Sequence, residues 1–130
     1  MAAERRALQI ATALAACVPV TAGTWGMWAG TDFLDLPANV SADSHIRYLS
    51  GLLFGIGIAF WAAVPAIETH GARFSLLTAI VFVGGLARML ALVTQGVPNR
   101  AMLFGLAMEL VVTPAIWAWQ RRVARRCSRS

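Results

Sequence analysis

The chain has 130 residues, 58% hydrophobic and 13% charged, with a net charge of +5 and a mean hydropathy of +0.66. Soluble domains average about half apolar residues and a quarter charged, so the balance excludes an ordinary soluble domain and points to one membrane domain. All 11 basic residues are Arg, and those at 121–129 follow the last apolar segment instead of lining a soluble face, which excludes a nucleic-acid surface.

Apolar segments run over 7–30, 45–69, 72–95 and 98–120. Each reaches the length of about 20 helical residues that crosses a hydrocarbon core. Alternation is absent, which argues against barrel strands. The links at 70–71 and 96–97 are short enough to make the last three segments antiparallel neighbours. The expectation is an all-α, four-helix transmembrane bundle, up-down-up-down, with an Arg-rich tail at 121–130.

The first segment follows Arg5 and Arg6, and its LAAC at 14–17 looks like a lipoprotein cleavage box. The apolar run continues through VPVTAGTWGMWAG to full span length, so an uncleaved span is expected. The acidic link TDFLDLPANVSADS (31–44) comes next. The second segment opens on His45, Arg47 and Tyr48, and Gly51 and Gly55 continue the Arg47 face at i+4 and i+8. Small residues on one stripe let membrane helices approach closely, within the chain or between copies of it. Pro65 and Pro114 fall inside segments, where kinks are tolerated.

The third segment carries Gly84, Gly85 and Arg88 and ends at Gln95 on the Arg88 face; the fourth carries Met102, Gly105, Glu109 and Thr113. A charge near the bilayer centre costs at least about 2.5–3.5 kcal/mol, so it is paired or faces a cavity. Glu109 is the acid deep in another segment. Counted from their outer ends at about 1.5 Å per residue, Arg88 and Glu109 lie at depths of about 10 and 15 Å, a difference an arginine side chain bridges. An Arg88–Glu109 ion pair is therefore expected. Gly84, Gly85 and Gly105 would serve helix packing, and Met102 likewise. His45, Arg47, Tyr48 and Gln95 would complete an outer-facing polar pocket with the pair. Each has a plainer reading: the pair as a register device, Arg47 as a side chain reaching lipid phosphate, His45 as a loop or cap residue.

The tail ends CSRS, a poor prenylation box because Ser128 and Arg129 are not aliphatic. Cys17 falls mid-span and Cys127 in the tail, so a disulfide between them is not expected. His and Cys lack ligand spacing, so no metal is expected, and no cofactor or catalytic motif is found. Arg5, Arg6, Arg73, Arg121, Arg122, Arg125, Arg126 and Arg129 fall on one side, which the positive-inside rule assigns to the cytoplasm with both termini.

The stretches SHIRYLSGLLFGIGIAFW (44–61), GGLARMLAL (84–92) and GVPNRAMLFGLAMELVVTPAIWAW (96–119) resemble the bacterial family catalogued as domain of unknown function 4345, and more loosely the DoxX-like group. The motifs stand at Ser44–Gly51, Gly84–Arg88 and Glu109. The resemblance implies a small four-span protein of a bacterial inner membrane and brings no biochemistry with it. Three functions stay open: a non-enzymatic protein whose pocket (His45, Arg47, Tyr48, Arg88, Gln95, Glu109) binds a small or lipid anion; a proton-coupled transporter using Glu109; and a membrane enzyme with His45 as acid or base. The partners implied are the lipid bilayer and an anionic or lipid ligand, with no nucleic acid; a homo-oligomer is compatible.

Overall fold

The computed structural model describes residues 1–130, and all of its regular structure is helical. α1 (Ala2–Ala29) runs into a 3-10 turn (Gly30–Leu34), and α2 (Val40–Ala63) ends in another (Val64–Ala66). α3 (Gly71–Gln95) is unbroken. The last crossing comprises α4 (Arg100–Ala107), a π-helical turn (Met108–Val112) and α5 (Thr113–Cys127). With their terminal turns these stretches hold 33, 27, 25 and 28 residues. At about 1.5 Å per residue each exceeds a hydrocarbon core of about 30 Å. The protein is all-α, with four helices long and apolar enough to cross a membrane.

The helix ends follow from local chemistry. Asn39 accepts from the Ala42 amide at 2.9 Å, so α2 starts five residues earlier than the apolar pattern at His45 suggests. Asn99 does the same for Met102 at 3.0 Å and starts α4. Proline has no N–H and disfavours helical geometry in the residue before it. Pro65 accordingly stands in the 3-10 turn that ends the second crossing, instead of kinking its interior as the sequence suggests.

The chain forms two compact units, Thr12–Ala62 and Met1–Ala11 with Ala63–Ser130. In the first, α1 and α2 meet where a side chain is missing. A Cβ on Gly23 would lie 2.6 Å from the Phe54 amide, and one on Gly57 would lie 2.7 Å from Val20 and 3.2 Å from the Pro19 ring. Gly57 thus accommodates the proline inside α1. Trp61 donates its indole N–H to the Ala13 carbonyl at 3.0 Å.

In the second unit, Leu8, Ala63, Ile67, Phe74 and Val123 are fully buried. The carbonyls released where α2 ends need partners. Gln9 donates to Val64 at 2.8 Å, Arg5 to Pro65 at 2.9 Å and Gln120 to Ile67 at 2.8 Å. Arg5 also pairs with Glu68 at 2.7 Å, and Glu4 pairs with Arg122 at 3.3 Å and Arg126 at 2.7 Å. The start of α1, the α2–α3 link and α5 therefore close on one another within this unit.

Candidate functional site

Arg88 and Glu109 stand on the facing sides of α3 and the π turn. The Arg88 Nε donates to Glu109 Oε2 at 3.0 Å and one terminal nitrogen to Oε1 at 3.1 Å. This is the two-pronged geometry that a planar guanidinium makes with a carboxylate. The other terminal nitrogen lies 2.7 Å from Met102 Sδ, a weak acceptor. The sequence assigns Met102 to packing; its seven-residue spacing from Glu109 is the signal that both face the same way. The Arg88 side chain is 34% exposed and that of Glu109 17%.

Local backbone explains the closeness. A Cβ on Gly85 would lie 2.7 Å from the Leu110 side chain and 2.9 Å from Glu109 Cβ, so the missing side chain lets α3 and the π turn touch. Gly105 lies under the guanidinium, with Arg88 Cζ 3.8 Å from where its Cβ would be. Gly84 and Gly55, expected to pack helices, have nothing within 4 Å; Gly51 has only Met27, at 3.5 Å. Close approaches occur at Gly85, one of the expected positions, and at Gly23, Gly26 and Gly57, which the sequence does not single out. Adjacent helical residues differ by about 100° in direction, so of Gly84 and Gly85 only one can face a given neighbour.

The π turn was not visible as such in the sequence. Pro114 offers no N–H to the carbonyl four residues back, and the hydrogen-bond register widens over Met108–Val112. The Met108 carbonyl accepts the Thr113 backbone N–H, the five-residue bond of a π turn, and also the Thr113 hydroxyl at 2.7 Å, which reinforces the widened register. The Thr113–Pro114 pair is its sequence signal. Single π turns inside α-helices are frequent at functional sites, and this one carries Glu109.

Arg47, expected at the mouth of a pocket, is engaged with Asp43 and the end of α1. Its guanidinium donates to Asp43 at 2.6 Å and to the Met27 and Trp28 carbonyls at 2.6 and 2.9 Å. Those are last-turn carbonyls of α1, which lack intrahelical donors and attract a cation. Asp43 Oδ1 in turn accepts from the Thr31 amide at 3.0 Å. Arg47 and Asp43 therefore latch the end of α1 to the start of α2. His45, Tyr48 and Gln95 are exposed. His45, Arg47 and Tyr48 belong to the Thr12–Ala62 unit; Arg88, Gln95 and Glu109 belong to the other. No three of His, Cys, Asp and Glu converge.

Two shallow clefts border α5. One, of about 320 Å³, is lined by Ala118, Arg122, Arg125, Arg126 and Arg129. The other, of about 290 Å³, is lined by Gly71, Ala72, Gln120, Arg121, Ala124 and Arg125.

No curated protein and no solved structure matches the chain significantly. One family model does, over residues 7–120, which includes the glycines, Arg88, the π turn and Glu109. The chain belongs to the family described as Domain of unknown function (DUF4345).

Proposed function

We propose that this is a bacterial inner-membrane protein whose four helices assemble as a bundle with both termini in the cytoplasm, and that Arg88, held by Glu109, binds a small or lipid anion in the outer half of the membrane. The orientation is supported by the arginines. Glu4, Arg5, Glu68, Arg122 and Arg126 meet at the end of the chain's fold where the basic tail begins, and positive loops favour the cytoplasm.

The observation that carries the binding reading is the hydrogen-bond inventory of Arg88. A guanidinium has five N–H donors. Two serve Glu109 and one rests against a thioether, while the side chain keeps 34% of its surface open. An oxyanion is a far better acceptor than the Met102 sulfur and would take that donor and a free one. Glu109 neutralises the guanidinium before the ligand arrives and fixes its plane. The donors of Arg47 hold the end of α1; within the unit that carries Arg88 and Glu109, the exposed Gln95 stays as a candidate mouth residue. No catalytic role is proposed.

Thermal unfolding of the purified protein tests this, with short-chain phosphatidylglycerol and inorganic phosphate as the two anions and short-chain phosphatidylcholine as control. A ligand at 100 times its Kd stabilises by about 2.7 kcal/mol. Wild type should gain with an anion, and Arg88→Lys, which keeps the charge but loses the planar fork, should gain far less. An equal shift in both proteins, or none with either anion, overturns the reading.

A further inference from the structure

We infer a second anion site at the opposite, arginine-rich end: the cleft between the start of α3 and α5 receives the phosphate of an anionic phospholipid headgroup, held by Arg121 and Arg125. It goes beyond the Arg88 reading and uses none of the same residues.

The charge balance comes first. Arg122 and Arg126 share Glu4 as their acid, at 3.3 and 2.7 Å. Arg125, on the same helix, has no acidic partner and lines both clefts, the one with Arg122, Arg126 and Arg129 and the one with Gly71, Ala72, Gln120 and Arg121. Four guanidiniums around the first cleft therefore face one carboxylate. Such an excess attracts phosphate groups.

The second cleft has the shape and chemistry to hold one. Its floor includes Gly71 and Ala72, the first residues of α3. The preceding His70 makes no side-chain cap, so the opening amides of a 25-residue helix are left without that acceptor. Helix starts present N–H groups and positive potential to anions. Gly71 also leaves the floor without a side chain. Gln120, fully buried in the same wall, gives its amide N–H to Ile67, but its Oε1 has no hydrogen-bond partner. That oxygen is itself enclosed, so the donors this wall offers an occupant are the guanidiniums of Arg121 and Arg125.

The depth is also right for lipid. Arg121 lies over the Trp117 ring at 5.5 Å, and the Trp117 N–H donates to Ser75 at 2.8 Å. Trp favours the membrane–water interface, with its ring among acyl chains and its polar edge toward the headgroups. Arg121 and Arg125 lie one and two turns further along α5, at the level of the lipid phosphates. This position distinguishes a bilayer lipid from free phosphate as the occupant.

Native mass spectrometry of the full chain in detergent tests the site. Phosphatidylglycerol, which carries the phosphate anion, is titrated against phosphatidylcholine. Arg121→Ala/Arg125→Ala should lower phosphatidylglycerol retention about tenfold. Arg6→Ala/Arg100→Ala, which removes the same charge from exposed positions outside both clefts, should change it less than about twofold. The conservative Arg121→Lys/Arg125→Lys should recover part of the loss. Equal losses in the first two double variants would reduce the effect to net charge and overturn the site. So would retention of phosphatidylcholine as strong as that of phosphatidylglycerol. Binding of inorganic phosphate that the Arg121/Arg125 variant loses, without lipid selectivity, would overturn the assignment to lipid. Helicity measured alongside separates these results from misfolding.

Discussion

The Arg47 guanidinium reaches back 20 residues to the Met27 carbonyl at 2.6 Å, while its partner Asp43 holds the Thr31 amide at 3.0 Å. One ion pair thus serves a carbonyl and an amide of the same bend, where α1 gives way to a 3-10 turn. Arg47→Gln should loosen this bend without unfolding the helices. Hydrogen exchange checks it: the Thr31 amide should exchange faster in Arg47→Gln and in Asp43→Asn, while the amides of α3 stay unchanged. Local openings of this kind are separable from global stability.

The glycines divide into contact points and open positions, which gives opposite signs to one substitution. Gly85→Ala drives a Cβ to 2.7 Å from Leu110, and Gly23→Ala drives one against the Phe54 and Ser50 backbone. Overpacking of this kind costs about 1–3 kcal/mol, with Gly23 at the upper end because backbone cannot move aside as a side chain can. Gly55→Ala and Gly84→Ala meet nothing within 4 Å. They gain helix propensity, up to about 1 kcal/mol each. Denaturation of the four variants in the same detergent should rank them Gly84→Ala and Gly55→Ala above wild type, Gly85→Ala below it and Gly23→Ala lowest.

Glu68 supplies a pH dependence outside the crossings. The hydrogen bond from Arg5 holds its carboxyl below the usual carboxylate range, against the opposing effect of burial. Its folded pKa lies below the unfolded value of about 4.3. Its contribution to stability is therefore complete above that value and is lost as pH falls through the folded pKa. The pair is partly open to water, so the effect should be small and weaken with salt. Thermal unfolding between pH 6 and pH 3 should fall less steeply in Glu68→Gln than in wild type. Identical slopes would mean that the pair contributes nothing measurable.

What could be read from the sequence, and what could not, follows from the range of each interaction. Long apolar runs make the crossings plain, because length and hydropathy are local. Arg88 stands out for the same reason, and Glu109 is the acid within reach on the next crossing. Arg47 was harder: its acceptors are backbone carbonyls, which leave no mark on composition, and they lie in a bend whose path depends on packing. The π turn depends on how the chain resolves Pro114, and the identity of the contacting glycines depends on helix rotation. A stripe at i, i+4 gives the spacing of a face but not its direction.

The exchange of two hydrogen bonds between Arg88 and Glu109 leads to a test of whether the pair is needed for folding or kept for another purpose. Removing one partner leaves the other charged among apolar side chains. Arg88→Leu or Glu109→Leu should each cost at least about 2.5 kcal/mol, the lower estimate for an unpaired charge deep in a membrane. The double variant leaves no orphaned charge, and replacing an ion pair by apolar groups is often neutral or stabilising. It should recover most of the stability lost in the singles, with a coupling energy of about 0.5–3 kcal/mol in a double-mutant cycle. A double variant as stable as wild type would mean that the fold does not require the pair, leaving anion binding as the reason for its geometry. If the double variant is as unstable as the singles, the pair instead fixes how α3 meets the π turn. Phosphatidylglycerol should then stabilise Arg88→Lys as much as wild type.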